Sequence, residues 1–185
     1  MKSQIHPHFL FNTLNNLYRL VMDNEQAGEV VLKLADLLRF TLYESQTDAI
    51  PIKSVVEFLQ NYLSLEKIRL KESLTLEYDF SQINNIENPI APLLFINFIE
   101  NAFKHGSKSS NDAFRVQIKL AETKNIVSFE ISNSKPKKTI LSDQVSGNGI
   151  NNIKKRLNFL YPDRYKLEII ETPNLYKVNL NIQLV

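Results

Sequence analysis

Apolar residues near the start of the chain recur at the spacing of a helix that packs against other helices. They alternate at intervals of four and three residues and comprise Leu10, Leu14, Leu17 and Val21. After turn-forming residues at 23–26, a second stripe comprises Val30, Leu34, Leu37 and Thr41. Two helices in a hairpin cannot enclose a core alone, so we expect a homodimeric four-helix bundle.

After Pro51 the pattern predicts one more helix, at 52–70, and then strands. After Ser73, apolar and polar residues alternate over residues 74–80, which is typical of a half-buried strand. The remaining predicted elements are a helix from Pro92 to His105 with Gly106 as a left-handed cap, strands at 116–120 and 126–131 joined by a turn at 123–125, a helix from Gly147-Asn148-Gly149 to about Tyr161, and strands at 165–171 and 175–184.

This order predicts an α+β protein, a dimerising helical hairpin followed by an α/β sandwich with a mixed sheet. We place the hairpin at residues 1–48, a connecting helix at 49–72 and the sandwich at 73–185. The polar, lysine-bearing stretch 134–146 is expected to be mobile.

Composition narrows the classes of function. The 185 residues have a formal net charge of +2, too small to argue for direct contact with nucleic acid or an anionic membrane. The chain has no cysteine, which excludes disulfides and thiol catalysis. No apolar run has the length of a transmembrane helix. We expect a soluble region of a longer protein, whose membrane segment would lie upstream.

Two histidines flank a proline in residues 4–12. His8 and Asn12 are four residues apart, on a stripe beside the apolar seam. Pro7 would kink the helical run and help to expose His8. A metal site is less favoured, because the chain has no cysteine and one further histidine, His105. We interpret His8 as a nucleophile that accepts a phosphoryl group; the alternative is an ordinary surface histidine.

The helix predicted from Pro92 carries a polar stripe on an apolar scaffold. Asn97, Asn101 and His105 are spaced by four and share one face. Burying such a stripe without partners is costly. The amides either cap neighbouring loops or line a ligand cavity, where an amide oxygen would suit a hard cation such as Mg²⁺.

Three of the four glycines fall at the end of this helix or at the start of the later one: Gly106, Gly147 and Gly149. A Gly-x-Gly turn before a helix leaves backbone N–H groups and the positive end of the helix dipole available to an anion. Together with the polar helix, the pattern predicts a nucleotide site under a flexible lid.

Three segments resemble LytS-type sensor histidine kinases, in the same order along the chain. Residues 4–12 are similar to the phosphoacceptor box, residues 92–106 to the N box and residues 147–157 to the glycine box. The resemblance covers nearly the whole chain. It implies a dimerisation and histidine phosphotransfer hairpin joined to a GHKL-type ATP-binding domain, the type shared with gyrase and a heat-shock ATPase chaperone.

The resemblance also implies residue roles. His8 would be phosphorylated by ATP, Asn101 would hold Mg²⁺ bound to ATP, and Asn12 would orient water for dephosphorylation of the partner regulator. Other residues implied at the nucleotide are Asn97 and Glu100 in support, Lys104, His105 and Gly106 near the phosphates, Asn133 at the adenine, and Gly147 and Gly149 at the lid.

The chain departs from related families at two places. Phe9 follows His8, as is usual in the LytS type, where many other histidine kinases have an acid. Asn133 stands where this fold presents an adenine-recognising acid, and Ser134-Lys135-Pro136 replaces the usual glycine-rich box. An asparagine can accept a hydrogen bond from the adenine amino group but lacks the charge, so we expect lowered ATP affinity.

The expected function is autophosphorylation and transfer to an aspartate of a response regulator, of the LytTR type. The expected location is cytoplasmic, on an inner-membrane sensor reaching the membrane only through upstream segments. The alternative is a degraded, dimeric scaffold that binds a regulator without phosphotransfer. A third class, an ATPase without phosphotransfer, is disfavoured by the box around His8.

Overall fold

The computed structural model describes residues 7–106, 114–135 and 148–185. Five α-helices lie in these ranges: α1 (Pro7–Val21), α2 (Glu25–Leu42), α3 (Ile52–Leu70), α4 (Ile96–Gly106) and α5 (Asn148–Leu160). The strands there are β1 (Ile50–Pro51), β2 (Leu74–Asp79), β3 (Pro89–Ile90), β4 (Phe114–Thr123), β5 (Ile126–Ser134), β6 (Tyr165–Glu171) and β7 (Leu175–Gln183). The predicted α+β class, with a helical hairpin and a mixed sheet, is confirmed; the domain limits stay predictions.

Helices α1 and α2 form the predicted hairpin. Asn24 caps α2, because its side-chain oxygen accepts a hydrogen bond from the backbone N–H of Ala27 at 3.0 Å. Leu14 and Val31 are buried, whereas Leu17 and Leu34 of the predicted stripes remain 42% and 40% exposed in the single chain. The kink predicted at Pro7 is not tested, because α1 begins there and residues 1–6 lie outside the described ranges.

Helix α3 has the predicted bounds. Its apolar face is buried, and the rings of Phe58 on α3 and Phe40 on α2 stack with centroids 4.3 Å apart. Before it, β1 pairs antiparallel with β3. This two-residue pairing was not predicted, because so short a strand leaves no alternating pattern in the sequence.

The main sheet has the strand order β2-β4-β5-β7-β6. β2 runs parallel to β4, and the other neighbouring pairs are antiparallel. One face of the sheet is apolar and packs against helix α4. Phe95 and Phe98 contact Phe129 of β5 there, with ring centroids 4.7 and 5.9 Å apart. The sheet therefore supports the helix that carries the polar stripe.

Local backbone geometry confirms one predicted turn and corrects two glycines. Lys124 and Asn125 have φ of 53° and 61°, as a two-residue turn between β4 and β5 requires. Helix α4 continues through Gly106, and no glycine in the described ranges has a positive φ, so the left-handed cap predicted there is wrong. Gly149 lies within the first turn of α5 rather than before it. Of the stretch 134–146 that was predicted to be mobile, Ser134 is instead the last residue of β5. Residues 136–146 of it lie outside the described ranges.

One buried carboxylate fastens the loops beside the sheet. Glu122 is 2% exposed, and its two oxygens accept backbone N–H bonds from Asn85 at 2.8 Å and Asn125 at 2.9 Å. We expect Glu122→Gln to lower the free energy of unfolding by about 1–2 kcal/mol, because its amide group would face a partly buried backbone donor and leave it without an acceptor. Urea unfolding measures this loss.

Glu77→Gln is the matched control, since Glu77 is an exposed residue of β2 whose side chain bonds only to Gln117. Its unfolding free energy should change by less than about 0.5 kcal/mol. Equal losses in the two variants would contradict the role given to Glu122.

No helix within the described part of the chain has the length and apolar character needed to cross a membrane.

Candidate functional site

A cavity of about 230 Å³ lies between α4 and α5. Seven residues line it: Asn97, Glu100, Asn101, Gly149, Asn152, Ile153 and Arg156. The structure thus brings together four residues that were selected from the sequence, the three on α4 and Gly149. It adds three that the sequence reasoning missed, all on α5.

Helical spacing explains which residues meet at the cavity. The α5 residues are separated by three, four and seven positions from Gly149, so they share one face of that helix. The α4 residues do the same on the facing helix, while the opposite side of α4, including Phe98 and Ile99, is buried against the core. Extending the pattern beyond Gly149 along α5 would have found Arg156 from the sequence.

Asn101 and Gly149 approach each other closely across the cavity. A Cβ built on Gly149 would lie 3.8 Å from Asn101 Nδ2 and 3.9 Å from its Oδ1. Asn101 is half-buried. An amide oxygen here, beside the first turn of a helix, suits a hard cation that also carries an anion.

Arg156 ties α5 to the turn that precedes α4. Its Nη1 donates to the carbonyl of Leu93 at 3.1 Å and its Nη2 to the carbonyl of Pro92 at 2.5 Å. Asn97 Nδ2 donates to the same Leu93 carbonyl at 3.4 Å. Leu93 has φ of 53°, a strained conformation for a leucine. Burial lowers the pKa of the Arg156 guanidinium below its ordinary value.

A tyrosine near the end of α5 makes a further contact with this turn. The hydroxyl of Tyr161 accepts a hydrogen bond from the backbone N–H of Ala91 at 2.9 Å. Burial raises the pKa of this phenol, with the bond from Ala91 acting against the shift. Tyr161 does not line the cavity; it fastens the same segment from the other side.

Asn133 is buried on the face of β5 that packs against α4. It is 2% exposed and alternates with Phe129 and Ile131 along the strand. Its Nδ2 donates to the carbonyl of Ser134 at 3.1 Å, whereas its Oδ1 has no hydrogen-bond partner within the described residues. Asn133 therefore presents an unused acceptor, although it does not line the cavity itself.

Glu100, which lines the cavity, also lies near the connecting helix α3. The Tyr62 hydroxyl on α3 bonds to Glu66, and its ring meets Phe103 of α4 edge-on at 6.3 Å. Burial, followed by the charges of Glu66 and Glu100, raises the pKa of Tyr62. Glu100 thus faces both the cavity and α3.

The structure describes only some features of the other site residues that the sequence predicted. His8 lies in the first turn of α1 and Asn12 one turn later, exposed. Lys104 is exposed on α4. His105 and Gly106 end that helix. The side chains of His8 and His105, and the whole of Gly147, lie outside the described part.

No group of three or more histidine, aspartate or glutamate side chains able to hold a metal occurs in the described ranges. A cation at the cavity would have to share its coordination between the Asn101 amide and oxygens of a ligand. Mg²⁺ is commonly bound in that way, through few protein ligands and the phosphates of a nucleotide.

Comparison with solved structures defines the class of fold. The histidine kinase domain of the blue-light activated histidine kinase EL346 from Erythrobacter litoralis superposes with a TM-score of 0.51 at 12% identity, covering 97% of this chain and 86% of that one. At such identity the likeness concerns the fold alone, and it confirms the predicted hairpin and GHKL-type sandwich.

Sequence relatives refine the class. The histidine kinase family model matches residues 1–74. Sensor protein LytS of Enterococcus faecalis is 27% identical over 186 residues, 93% of this chain and 31% of that protein. Sensor histidine kinase BtsS of Escherichia coli is 29% identical over 178 residues, 95% of this chain and 31% of that protein.

The chain is therefore similar in fold and in sequence to protein histidine kinases. Its sequence relatives include LytS sensor proteins, the type that its motifs predicted. The chain spans about three tenths of the length of these two relatives.

Proposed function

We propose that this chain binds ATP with Mg²⁺ in the cavity between α4 and α5, phosphorylates His8, and passes the phosphoryl group to an aspartate of a response regulator of the LytTR type. The observation that carries the proposal is the placement of Asn97, Glu100 and Asn101 opposite Gly149 in one cavity. The family match over residues 1–74 supports the role of His8.

The chemistry of the cavity fits a polyphosphate. The first turn of α5 offers backbone N–H groups and the positive end of the helix dipole. Asn101 supplies an amide oxygen for Mg²⁺, which would neutralise charge on the phosphates. Glu100, exposed beside the same stripe on α4, would order water around the cation. Lys104, His105 and Gly106, with Gly147 and Gly149, are proposed to contact the phosphates or anchor the loop over them.

The unused acceptor of Asn133 fits the amino group of adenine. The bond from its Nδ2 to Ser134 fixes the orientation of the amide, so that Oδ1 remains the free atom. We expect Asn133→Leu to weaken ATP binding about tenfold, since one hydrogen bond to the base is lost. The stability of the nucleotide-free protein should hardly fall, because an unsatisfied buried oxygen is removed with it. Calorimetric titration and thermal unfolding measure the two quantities.

Asn179→Leu is the control for Asn133. Asn179 is the other asparagine in the described ranges with a buried, unpartnered Oδ1. It lies opposite Glu130 in the register of β5 and β7, on the other face of the sheet. Its substitution should leave ATP affinity unchanged; a loss equal to that of Asn133→Leu would remove Asn133 from the site.

Transfer to His8 would depend on positioning and charge neutralisation. A ring nitrogen of His8 would attack the γ-phosphorus as the bond to the β,γ-bridging oxygen breaks and ADP leaves. For transfer, the hairpin would have to bring His8 to the nucleotide while the cavity residues hold the phosphates still. Asn12, one helical turn from His8, is proposed to orient water when the regulator is dephosphorylated.

Partners and location follow from the same family. We propose a homodimer in which the apolar residues still exposed on α1 and α2, among them Leu17, Leu20 and Leu34, pack against a second copy. We further propose a cytoplasmic location on an inner-membrane sensor, with no direct contact to nucleic acid.

Incubation with Mg²⁺ and ATP radiolabelled at the γ-phosphorus tests the proposal. We expect a protein-bound label that is stable in alkali and lost in acid, the behaviour of phosphohistidine. ATP labelled at the α-phosphorus is the control and should leave no bound label. Absence of γ-label together with measurable ATP binding would overturn autophosphorylation, and absence of ATP binding would favour the regulator-binding scaffold.

A further inference from the structure

Arg156 is a half-buried cation without an anionic partner in the described part of the chain. Its hydrogen bonds go to two neutral carbonyls, those of Pro92 and Leu93, and it takes part in no ion pair there. Withdrawing a guanidinium from water without pairing it is unfavourable. The lowered pKa of Arg156, caused by burial, agrees with this cost.

The two bonds of Arg156 fix the segment from which α4 starts. A guanidinium presents its N–H groups in a rigid plane, so two carbonyls bound at once are held in one orientation. The Leu93 carbonyl also accepts from Asn97, one turn before Asn101 on the same face of α4. Arg156 thereby links the cavity face of α5 to the cavity face of α4 through a single shared acceptor.

The same helix carries Gly149 at its other end, two turns earlier. Gly149 approaches the Asn101 amide closely enough for a Cβ there to be in van der Waals contact. The contact of Arg156 with the turn before α4 therefore sets the separation of α4 and α5 near Asn101 and Gly149. At that point the Asn101 oxygen must contact a cation, and the first turn of α5 must contact phosphates.

We propose that Arg156 is a positioning residue for Mg²⁺-dependent nucleotide binding, which acts by holding the Asn97 and Asn101 face of α4 at a fixed separation from the first turn of α5. This inference rests on the proposed function, and the ligand class is a nucleoside triphosphate carrying Mg²⁺. Its action is indirect, through the carbonyls of Pro92 and Leu93.

The test compares Arg156→Gln, Arg156→Lys and Tyr161→Phe by calorimetric titration with ATP, in Mg²⁺ and in EDTA. Residues that orient a metal ligand typically change metal affinity about tenfold to 100-fold. We expect a loss of that size for Arg156→Gln in Mg²⁺ and little change in EDTA. Arg156→Lys should not rescue it, because an ammonium cannot hold two carbonyls in one plane.

Tyr161→Phe controls for stability. It removes the hydrogen bond between the Tyr161 hydroxyl and the backbone N–H of Ala91, next to the segment that Arg156 holds. Tyr161 itself does not line the cavity. Thermal unfolding identifies its loss of stability, and its ATP affinity should change less than about twofold. An equal loss of affinity in Tyr161→Phe would reduce Arg156 to a stabilising role and overturn the inference.

The remaining outcomes are decisive as well. Rescue by Arg156→Lys, or an equal loss of affinity in EDTA, would indicate direct charge attraction to the phosphates and would also overturn positioning. Failure of the unsubstituted protein to bind ATP would instead refute the proposed function, and the inference with it. Binding in the unsubstituted protein with loss confined to Arg156 variants in Mg²⁺ establishes both.

Discussion

His8→Gln is expected to abolish the alkali-stable, acid-labile label from γ-labelled ATP. Glutamine has no ring nitrogen able to attack phosphorus, and an amide nitrogen is not nucleophilic. His8 lies in the first turn of α1, well before the buried Leu14 of that helix. The substitution should therefore remove transfer while leaving ATP affinity and the unfolding temperature close to those of the unsubstituted protein.

His6→Gln is the matched control, since the two histidines are separated only by Pro7. It should retain the label. If the label were lost from His6→Gln and kept by His8→Gln, the nucleophile would have been assigned to the wrong histidine. Loss of ATP binding in His8→Gln would show that the substitution affects the fold or the site and says nothing specific about transfer.

Asn101→Ala is expected to weaken ATP binding in Mg²⁺ by more than about 100-fold, since it removes the proposed protein ligand of the cation. The effect should nearly disappear in EDTA, where the amide has no cation to hold. Asn101 is half-buried and faces the cavity, so the unfolding free energy should fall by less than about 1 kcal/mol. Titration in both buffers, with thermal unfolding alongside, measures these quantities.

Asn152→Ala provides the comparison within the same cavity. Asn152 is an exposed asparagine on α5 that lines the cavity from the other side and has no assigned role. We expect its ATP affinity to change by less than about threefold. If the two alanine variants lost affinity equally, or if Asn101→Ala bound ATP normally, the cation would not be held by Asn101.

The sequence predicted the elements well wherever apolar periodicity was long and uninterrupted. Helix α3 and strand β6 have the predicted bounds, and the turn at Lys124 and Asn125 was expected from its residues. Glycine positions were predicted less well. A glycine is compatible with a helix end and with a helix turn, and Gly106 and Gly149 both lie within helices.

Four of the seven residues that line the cavity were predicted, and the reason again lies in the local pattern. The polar stripe on α4 stands out because its neighbours along the chain are apolar, so Asn97 and Asn101 could be selected by spacing alone. Helix α5 is polar on much of its surface, and only its spacing of two helical turns from Gly149 distinguishes Arg156 from the adjacent lysines 154 and 155. Its importance depends on carbonyls more than sixty residues away.

The sequence by itself thus determined the order of helices and strands, the histidine box, the amide stripe and the resemblance to LytS-type sensor histidine kinases, because each is a local pattern of residue types. The tertiary structure alone decided that α4 and α5 face each other and that Arg156 joins them. It also decided that Glu122 is buried with both oxygens hydrogen-bonded, and that Asn133 is buried with an Oδ1 that has no partner among the described residues. Those features arise from contacts between segments distant in the chain, whose energies depend on geometry that no local pattern specifies.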